Sequence, residues 1–295
     1  MTKLKGVSPE TASPSRPKIM IFGPPGVGKT WVSLDFPNVF YIDTEDGANL
    51  KHYTDKLKKS GGSYFGVAQG ALSFDEVIGQ IQALATEKHA YKTVVIDSIS
   101  KLFSVAIASE AERLGDKNAF GADKKPAIQQ MRKMIAWLTR LDMNVIFISH
   151  QKSLWGTDSK GQRSEIGVTF DAWEKMEYEL HLCLNIFRQG PDYRARVTKS
   201  RLAEFEHGST FEWSYAEFAK RYGKTVIEQE AKQIVLATPE QIANVTRLTE
   251  TINLPEGQVE KWFKAAGVES WAEMDSDRVE KAIVHITKTY MGSPK

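Results

Sequence analysis

The stretch Gly23-Pro24-Pro25-Gly26-Val27-Gly28-Lys29-Thr30 limits the fold more than any other part of the chain. It matches G-x-x-x-x-G-K-[ST] in full, between the apolar run KIMIF (18–22) and a helix-like run opening at Lys29. That strand–loop–helix context gives the motif physical meaning. Glycines let backbone N–H groups wrap phosphates without a Cβ clash. Lys29 then faces the β- and γ-phosphates, the Thr30 hydroxyl is offered to Mg2+, and the helix N-terminus points at the nucleotide. Trp31 follows directly and is counted with the nucleotide-binding stretch.

Around the loop, short apolar runs alternate with helix-period segments. VFYID (39–43), KTVVID (92–97) and NVIFIS (144–149) have the character of buried strands. Residues 73–89 space Phe74, Val77, Ile78, Ile81 and Leu84 at helical intervals, and 125–141 place Ile128, Met131, Ile135 and Leu138 on one helix face. This alternation predicts an α/β fold with a mostly parallel sheet covered by helices. After Thr169 the pattern changes to two strands joined at RQGPDY, an antiparallel extension.

The expected organisation is a flexible N-terminal arm over 1–16, a core over 17–225, a linker over 226–237 and a small helical module over 238–295. The module should open at Thr238, with Pro239 at the first helical position and Gln241 completing a capping box. Its other helices come from PEGQVEKWFKAAGV and from a run starting at Asp275 or Ser276. Trp262, Phe263 and Trp271 are assigned to its core.

Composition rules out several classes. Hydrophobic residues are 41% and charged residues 26%, as in ordinary globular chains, and the net charge is +2. Nucleic-acid affinity must therefore come from local patches. Cys183 is the only cysteine, which excludes an intramolecular disulfide and fits a reducing, cytoplasmic setting. No apolar run is long enough to span a membrane, and residues 1–16 have no apolar segment of the signal-peptide kind.

Asp97 closes its strand, where a carboxylate can hold Mg2+ through water. Ser98 follows it, so the carboxylate that orients water must come from elsewhere. Glu45, just beyond the second strand in YIDTEDG, is the candidate; Asp43 and Asp46 compete with it, and a solvated acidic turn is the alternative.

Together GPPGVGKT, YIDTE, VVIDS and VIFISH resemble the ATPase core of RecA/RadA recombinases over about residues 17–213. More narrowly, they resemble the core-only phage AAA-domain nucleotide-binding proteins. The resemblance implies a RecA-like P-loop NTPase core that hydrolyses ATP with Mg2+ and acts on single-stranded DNA in recombination, annealing or replication. It implies a γ-phosphate sensor at His150, where the family often has Gln. It implies DNA contacts in the segments 112–126 and 151–170, both expected as loops; the second supplies Lys152, Trp155, Lys160 and Arg163. It further implies a homo-oligomer, ring or filament, in which Lys199 and Arg201, in the densely basic stretch RQGPDYRARVTKSR (188–201), reach the neighbouring subunit's ATP; a DNA-backbone patch is the alternative for the same residues. Residues 1–16 contain no aromatic of the kind filament-forming relatives use. The C-terminal module is expected to recruit a single-strand-binding or replication protein. Two rivals stand beside this reading. An AAA+ loader or remodeller would want a Glu directly after Asp97. An ATP-binding annealing scaffold would turn over negligibly.

Overall fold

The computed structural model describes residues 15–47, 49–118, 121–157 and 161–290. The described residues form two compact units. The first draws on the described residues within 1–73, 90–109 and 142–231; the second on those within 74–89, 110–141 and 232–295.

In chain order the elements are β1 (Lys18–Phe22), α1 (Lys29–Ser33), β2 (Val39–Asp43), α2 (Lys51–Ser60), β3 (Ser63–Phe65), α3 (Phe74–Thr86), β4 (Thr93–Asp97), α4 (Ile99–Leu114) and α5 (Lys124–Arg140). Then come β5 (Asn144–Ser149), β6 (Gln151–Thr157), β7 (Arg163–Phe170), β8 (Leu182–Gln189), β9 (Asp192–Ser200) and β10 (Thr210–Glu212). The helices α6 (Tyr215–Tyr222), α7 (Lys224–Ile227), α8 (Pro239–Thr251), α9 (Gln258–Ala266) and α10 (Ser276–Tyr290) complete the chain.

One sheet runs β10-β9-β8-β1-β5-β4-β2-β3. From β8 to β3 every pairing is parallel; β9 and β10 extend it antiparallel. This is the mostly parallel sheet with an antiparallel extension that the sequence predicts. Strands β1, β4 and β5 are buried at every position, which explains their unbroken apolar runs. The core of the first unit gathers Ile19, Ile21, Val95, Ile146, Ile148 and Leu184 from the sheet with Phe205, Trp213 and Phe218 from the later chain.

In the second unit, α3 and α5 pack together. The C-terminal helices share a core of Val245, Leu248, Trp271, Met274, Val279 and Ile286. Thr238 and Gln241 form the expected reciprocal capping box at the start of α8, with Pro239 in its first turn. Trp271 is buried and Trp262 and Phe263 pack against it, as expected of core residues.

Four local expectations are corrected. Residues 151–170 are not a loop: Gln151–Thr157 and Arg163–Phe170 pair as an antiparallel hairpin. Within 112–126, α4 extends to Leu114 and α5 starts at Lys124. Ile227, expected in the linker, is fully buried in the first unit's core.

Arg16, expected in the flexible arm, is also buried. Its guanidinium donates to the carbonyls of Val226, Ile227, Gln229 and Glu230 at 2.6–3.1 Å and to Asp142 at 3.2 Å. A planar five-donor group can hold a chain reversal in this way because it meets several carbonyls at once. Arg16→Ala should therefore destabilise the protein by about 2–4 kcal/mol, since it strips charged donors from buried carbonyls. Urea unfolding measures this; a midpoint unchanged from the parent chain would mean the guanidinium contacts carry no net stability.

Candidate nucleotide site

Parallel pairing sets the site. Phe22 is level with Ser149, Ile148 with Asp97, and Asp97 with Asp43. The residues that follow these strands thus leave one edge of the sheet together: the phosphate loop after β1, Thr44 and Glu45 after β2, Ser98 after β4 and His150 after β5.

The phosphate loop is held close to β8 and β9. A Cβ on Gly23 would lie 2.2 Å from the Ile186 carbonyl oxygen, so only glycine allows that approach. Gly28 caps α1 at φ 82°, and a Cβ there would lie 2.9 Å from the Tyr193 ring. Tyr193 therefore seats the loop from the β8–β9 hairpin, with Arg188 over its other surroundings at 5.4 Å from the ring centroid. Arg188 belongs to the basic stretch 188–201 that stands out in the sequence; Tyr193 does not stand out, because RQGPDY there carries only the signature of a turn.

Lys29 Nζ donates to the carbonyls of Gly23 and Pro24, both at 2.8 Å. Its ammonium is thus folded over the mouth of its own loop. Burial lowers its pKa, while Asp97 and then Glu45 pull it back up. Thr30 Oγ1 donates to Asp97 Oδ2 at 2.5 Å, and the buried Tyr41 hydroxyl donates to the same oxygen at 3.0 Å. Two hard oxygens, one hydroxyl and one carboxylate, stand together beside a phosphate loop. That donor set fits Mg2+, which is commonly held by one or two protein oxygens plus substrate phosphates and water. Pro24 and Pro25 are exposed at the loop's outer turn and Val27 is buried beneath it. Gly26 takes φ 76° with open space around it. Trp31 is 40% exposed on α1, with Lys56 Nζ 3.7 Å from its ring centroid.

Glu45 is the carboxylate brought to the centre. Its Oε1 accepts from Ser98 Oγ at 2.5 Å and lies 2.5 Å from His150 Nε2. Ser98 Oγ and His150 Nε2 are 3.4 Å apart, closing a three-membered polar cluster. Ser98 is in turn fixed by Thr44: its N–H donates to Thr44 Oγ1 at 2.8 Å, and Thr44 Oγ1 donates to its carbonyl at 3.0 Å. The competing acids are engaged elsewhere. Buried Asp43 accepts from the Glu45 N–H, and Asp46, at φ 59°, accepts from Asn49. The sequence marks Ser98 only as the residue after Asp97 and gives it no role, and Thr44 escapes notice because a threonine after a strand is too common to stand out.

His150 is the one residue between β5 and β6, so it also roots the hairpin. Its N–H donates to Ser100 Oγ at 2.8 Å and its carbonyl accepts from the Asp171 N–H at 2.9 Å. On the hairpin, Trp155 is 51% exposed and Arg163 lies over its ring at 5.2 Å. Lys152, at the hairpin's base, lies near Asp171 and Glu174 at 3.7 and 3.8 Å. Lys160 lies outside the described residues.

Lys199 and Arg201, expected to serve a neighbouring subunit's ATP, lie away from this chain's own phosphate loop. Lys199 pairs with Cys183 and the Arg201 N–H donates to the His181 carbonyl. His181 bonds to Lys18, at the opening end of β1 and thus the far end of the sheet from the phosphate loop. Both side chains donate to backbone carbonyls there, Lys199 to Leu180 and Arg201 to Tyr178. The basic groups of this ribbon that do lie at the loop's end belong to the β8–β9 turn, Arg188 among them. Alternation along a strand predicted a shared face for the pair but could not say which end of the sheet it would reach.

A family model described as an AAA domain matches residues 15–212. No curated protein matches the chain. Among solved structures it is similar to the RadB recombinase, at 17% identity over 66% of this chain and 84% of that one, with a TM-score of 0.39. It is also similar to a prototypical ATPase from the type III secretion system of pathogenic bacteria. There the identity is 13% over 92% of this chain and 80% of that one, with a TM-score of 0.40.

Burial pushes the Asp97 carboxyl up from 3.8 to about 6; Glu45 and Asp43 add to the rise, while the Thr30 and Tyr41 hydroxyls oppose it. Between the unfolded value, about 4, and this folded value the native state binds more protons, so stability falls as pH rises through that window. Without nucleotide or Mg2+, Asp97→Asn should raise Tm relative to the parent at about pH 7.5, and the gain should fade as pH falls through about 6 towards 4. Thermal unfolding at several pH values checks this. A Tm difference independent of pH would show that Asp97 is ionised without cost.

Proposed function

Because the chain belongs to the AAA-domain family over residues 15–212 and sets its phosphate loop at the edge of a mostly parallel sheet, we propose that it is a RecA-like, Mg2+-dependent ATPase whose turnover responds to single-stranded DNA. The process served is recombination, annealing or replication. One observation carries the link between nucleotide and DNA. His150 touches Glu45, the candidate water-orienting carboxylate, and is also the root of the exposed hairpin bearing Trp155 and Arg163.

Phosphoryl transfer asks little covalent chemistry of a protein; positioning and charge stabilisation supply the rate. Lys29 exchanges the Gly23 and Pro24 carbonyls for the β- and γ-phosphates. The Thr30 hydroxyl and Asp97 would hold Mg2+, which would supply charge neutralisation at the phosphate oxygens. Asp97, with a pKa of about 6, is ionised at neutral pH and so able to do this. Glu45 orients the attacking water and takes its proton. Ser98, locked by Thr44, positions the Glu45 carboxylate. His150 competes for the same carboxylate oxygen, so any shift of His150 on γ-phosphate binding is felt by both Glu45 and the hairpin.

On the DNA side, Trp155 offers a stacking face and Arg163 a cation beside it, a combination suited to single strands. The exposed Leu154 and Ile166 add apolar surface to the hairpin. Measuring ATP hydrolysis with and without single-stranded DNA tests the whole reading, and it separates a DNA-responsive ATPase from a scaffold that binds ATP and turns over negligibly.

Lys29→Ala should abolish turnover and weaken ATP binding. Glu45→Gln should retain nucleotide binding while hydrolysis falls about 100-fold or more. Near-normal hydrolysis by a folded Lys29→Ala protein would remove the assignment, and normal hydrolysis by Glu45→Gln would transfer the water-orienting role elsewhere. Trp155→Ala combined with Arg163→Ala should weaken single-stranded DNA binding about tenfold and flatten its salt dependence. Anisotropy titrations over a range of salt concentrations read both effects; unchanged affinity would take the hairpin out of the DNA site.

A further inference from the structure

The C-terminal helices carry a second surface, independent of the nucleotide site. Between α9 and α10 lies an open hollow of about 240 Å3. Its lining is apolar where it is deep, from Trp262, Ala266, Met274 and Ala282. Small residues keep it open: Ala265, Ala266 and Ala282 stand where leucines would close a helix–helix seam. Trp262 forms one wall, with the His285 ring edge-on to it at 6.1 Å.

The rim is cationic. Arg278, Lys281 and His285 follow the i, i+3, i+7 spacing of one face of α10 and all line the hollow. Lys288, seven residues beyond Lys281, continues that face. Of the acidic residues nearby, Glu280 accepts from Gln241 of α8, while Asp275 pairs with the rim's own Arg278 at 3.3 Å and with Arg140 at 3.2 Å. Lys281 therefore carries the rim's charge: it is exposed and makes no ion pair among the described residues. So although residues 238–295 are slightly acidic as a whole, this one face is positive around an apolar hole.

We propose that this groove is a docking site for an acidic peptide segment of another protein, which inserts a single aromatic side chain. The hollow is smaller than the roughly 300–1,000 Å3 of typical small-molecule sites and suits one large side chain. Trp262 supplies a ring for that side chain to pack against, and the rim supplies charge for carboxylates flanking it. Burying an aromatic anchor within a ring of complementary charges is how a short peptide gains affinity and register together.

The full-length protein is titrated into a fluorescein-labelled octapeptide of Asp and Glu ending in Phe, followed by anisotropy. A peptide ending in Ala serves as the control. Three changes should each weaken binding about tenfold: the Phe-to-Ala control peptide, Lys281→Glu, and Ala265→Trp, which fills the hollow from an exposed position. Lys281→Arg should bind like the parent chain. Circular dichroism confirms that the variants fold. The proposal fails if the Phe peptide does not bind at about 1 mM protein, or if affinity ignores all three changes. It fails in favour of nucleic acid if oligo-dT displaces the peptide and is itself weakened by both Lys281→Glu and Ala265→Trp. It fails in favour of self-association if light scattering shows oligomers that Ala265→Trp abolishes.

Discussion

The short hydrogen bond from Thr30 to Asp97 ties the two halves of the nucleotide site together. Thr30 sits at the start of α1, carried there by β1; Asp97 ends β4, and β5 lies between the two strands. The bond is available only because parallel strands all finish at one edge, so a helix N-terminus after one strand meets the last side chain of another. The rest of the site hangs on the same arrangement. Tyr41 reaches the same carboxylate from β2, while the residues after β2, β4 and β5 converge as Glu45, Ser98 and His150.

That convergence has an electrostatic cost. A buried carboxylate with two further carboxylates nearby is disfavoured as an anion, and the Thr30 and Tyr41 hydroxyls together with the Lys29 charge offset this only in part. Lys29 is held over the loop mouth by carbonyls rather than paired with Asp97 at hydrogen-bond distance. The site therefore holds negative charge awaiting a cation and positive charge awaiting phosphate, the complementary pattern expected of a protein that binds a metal–nucleotide complex. Stability is given up at Asp97 to keep the site ready.

The hairpin β6–β7 and the α9–α10 groove follow a different logic. Both expose apolar groups beside cations, on surfaces where burial would be the default. In the hairpin, Trp155 with Arg163 suits stacking of bases beside phosphates. In the groove, the apolar part is recessed and bounded, which suits a side chain rather than a continuous strand of bases.

Much of this was legible in the sequence. The phosphate loop, the buried strands, Asp97 and the Thr238–Gln241 capping box are local: their residue types and spacing specify backbone conformation or burial without reference to distant chain. Glu45 could be nominated from its place after β2, but not separated from Asp43 and Asp46, because the three differ only in where a tight turn points them. The hairpin over 151–170 was missed because glycines, polar residues and a bulge at Leu154–Trp155 blur its alternation. The charge of Lys199 and Arg201 was legible, whereas register decided that they finish at the end of the sheet opposite their own chain's phosphate loop. Ser98, Thr44, Tyr41 and Tyr193 acquire meaning only from neighbours more than fifty residues away, or, for Tyr193, from a glycine in the phosphate loop. Sequence determined which segments form strands and where phosphate binds, since those depend on short-range sterics and hydrophobic period. Which side chains meet across the sheet edge was decided by strand order and register, which arise from packing of the whole chain.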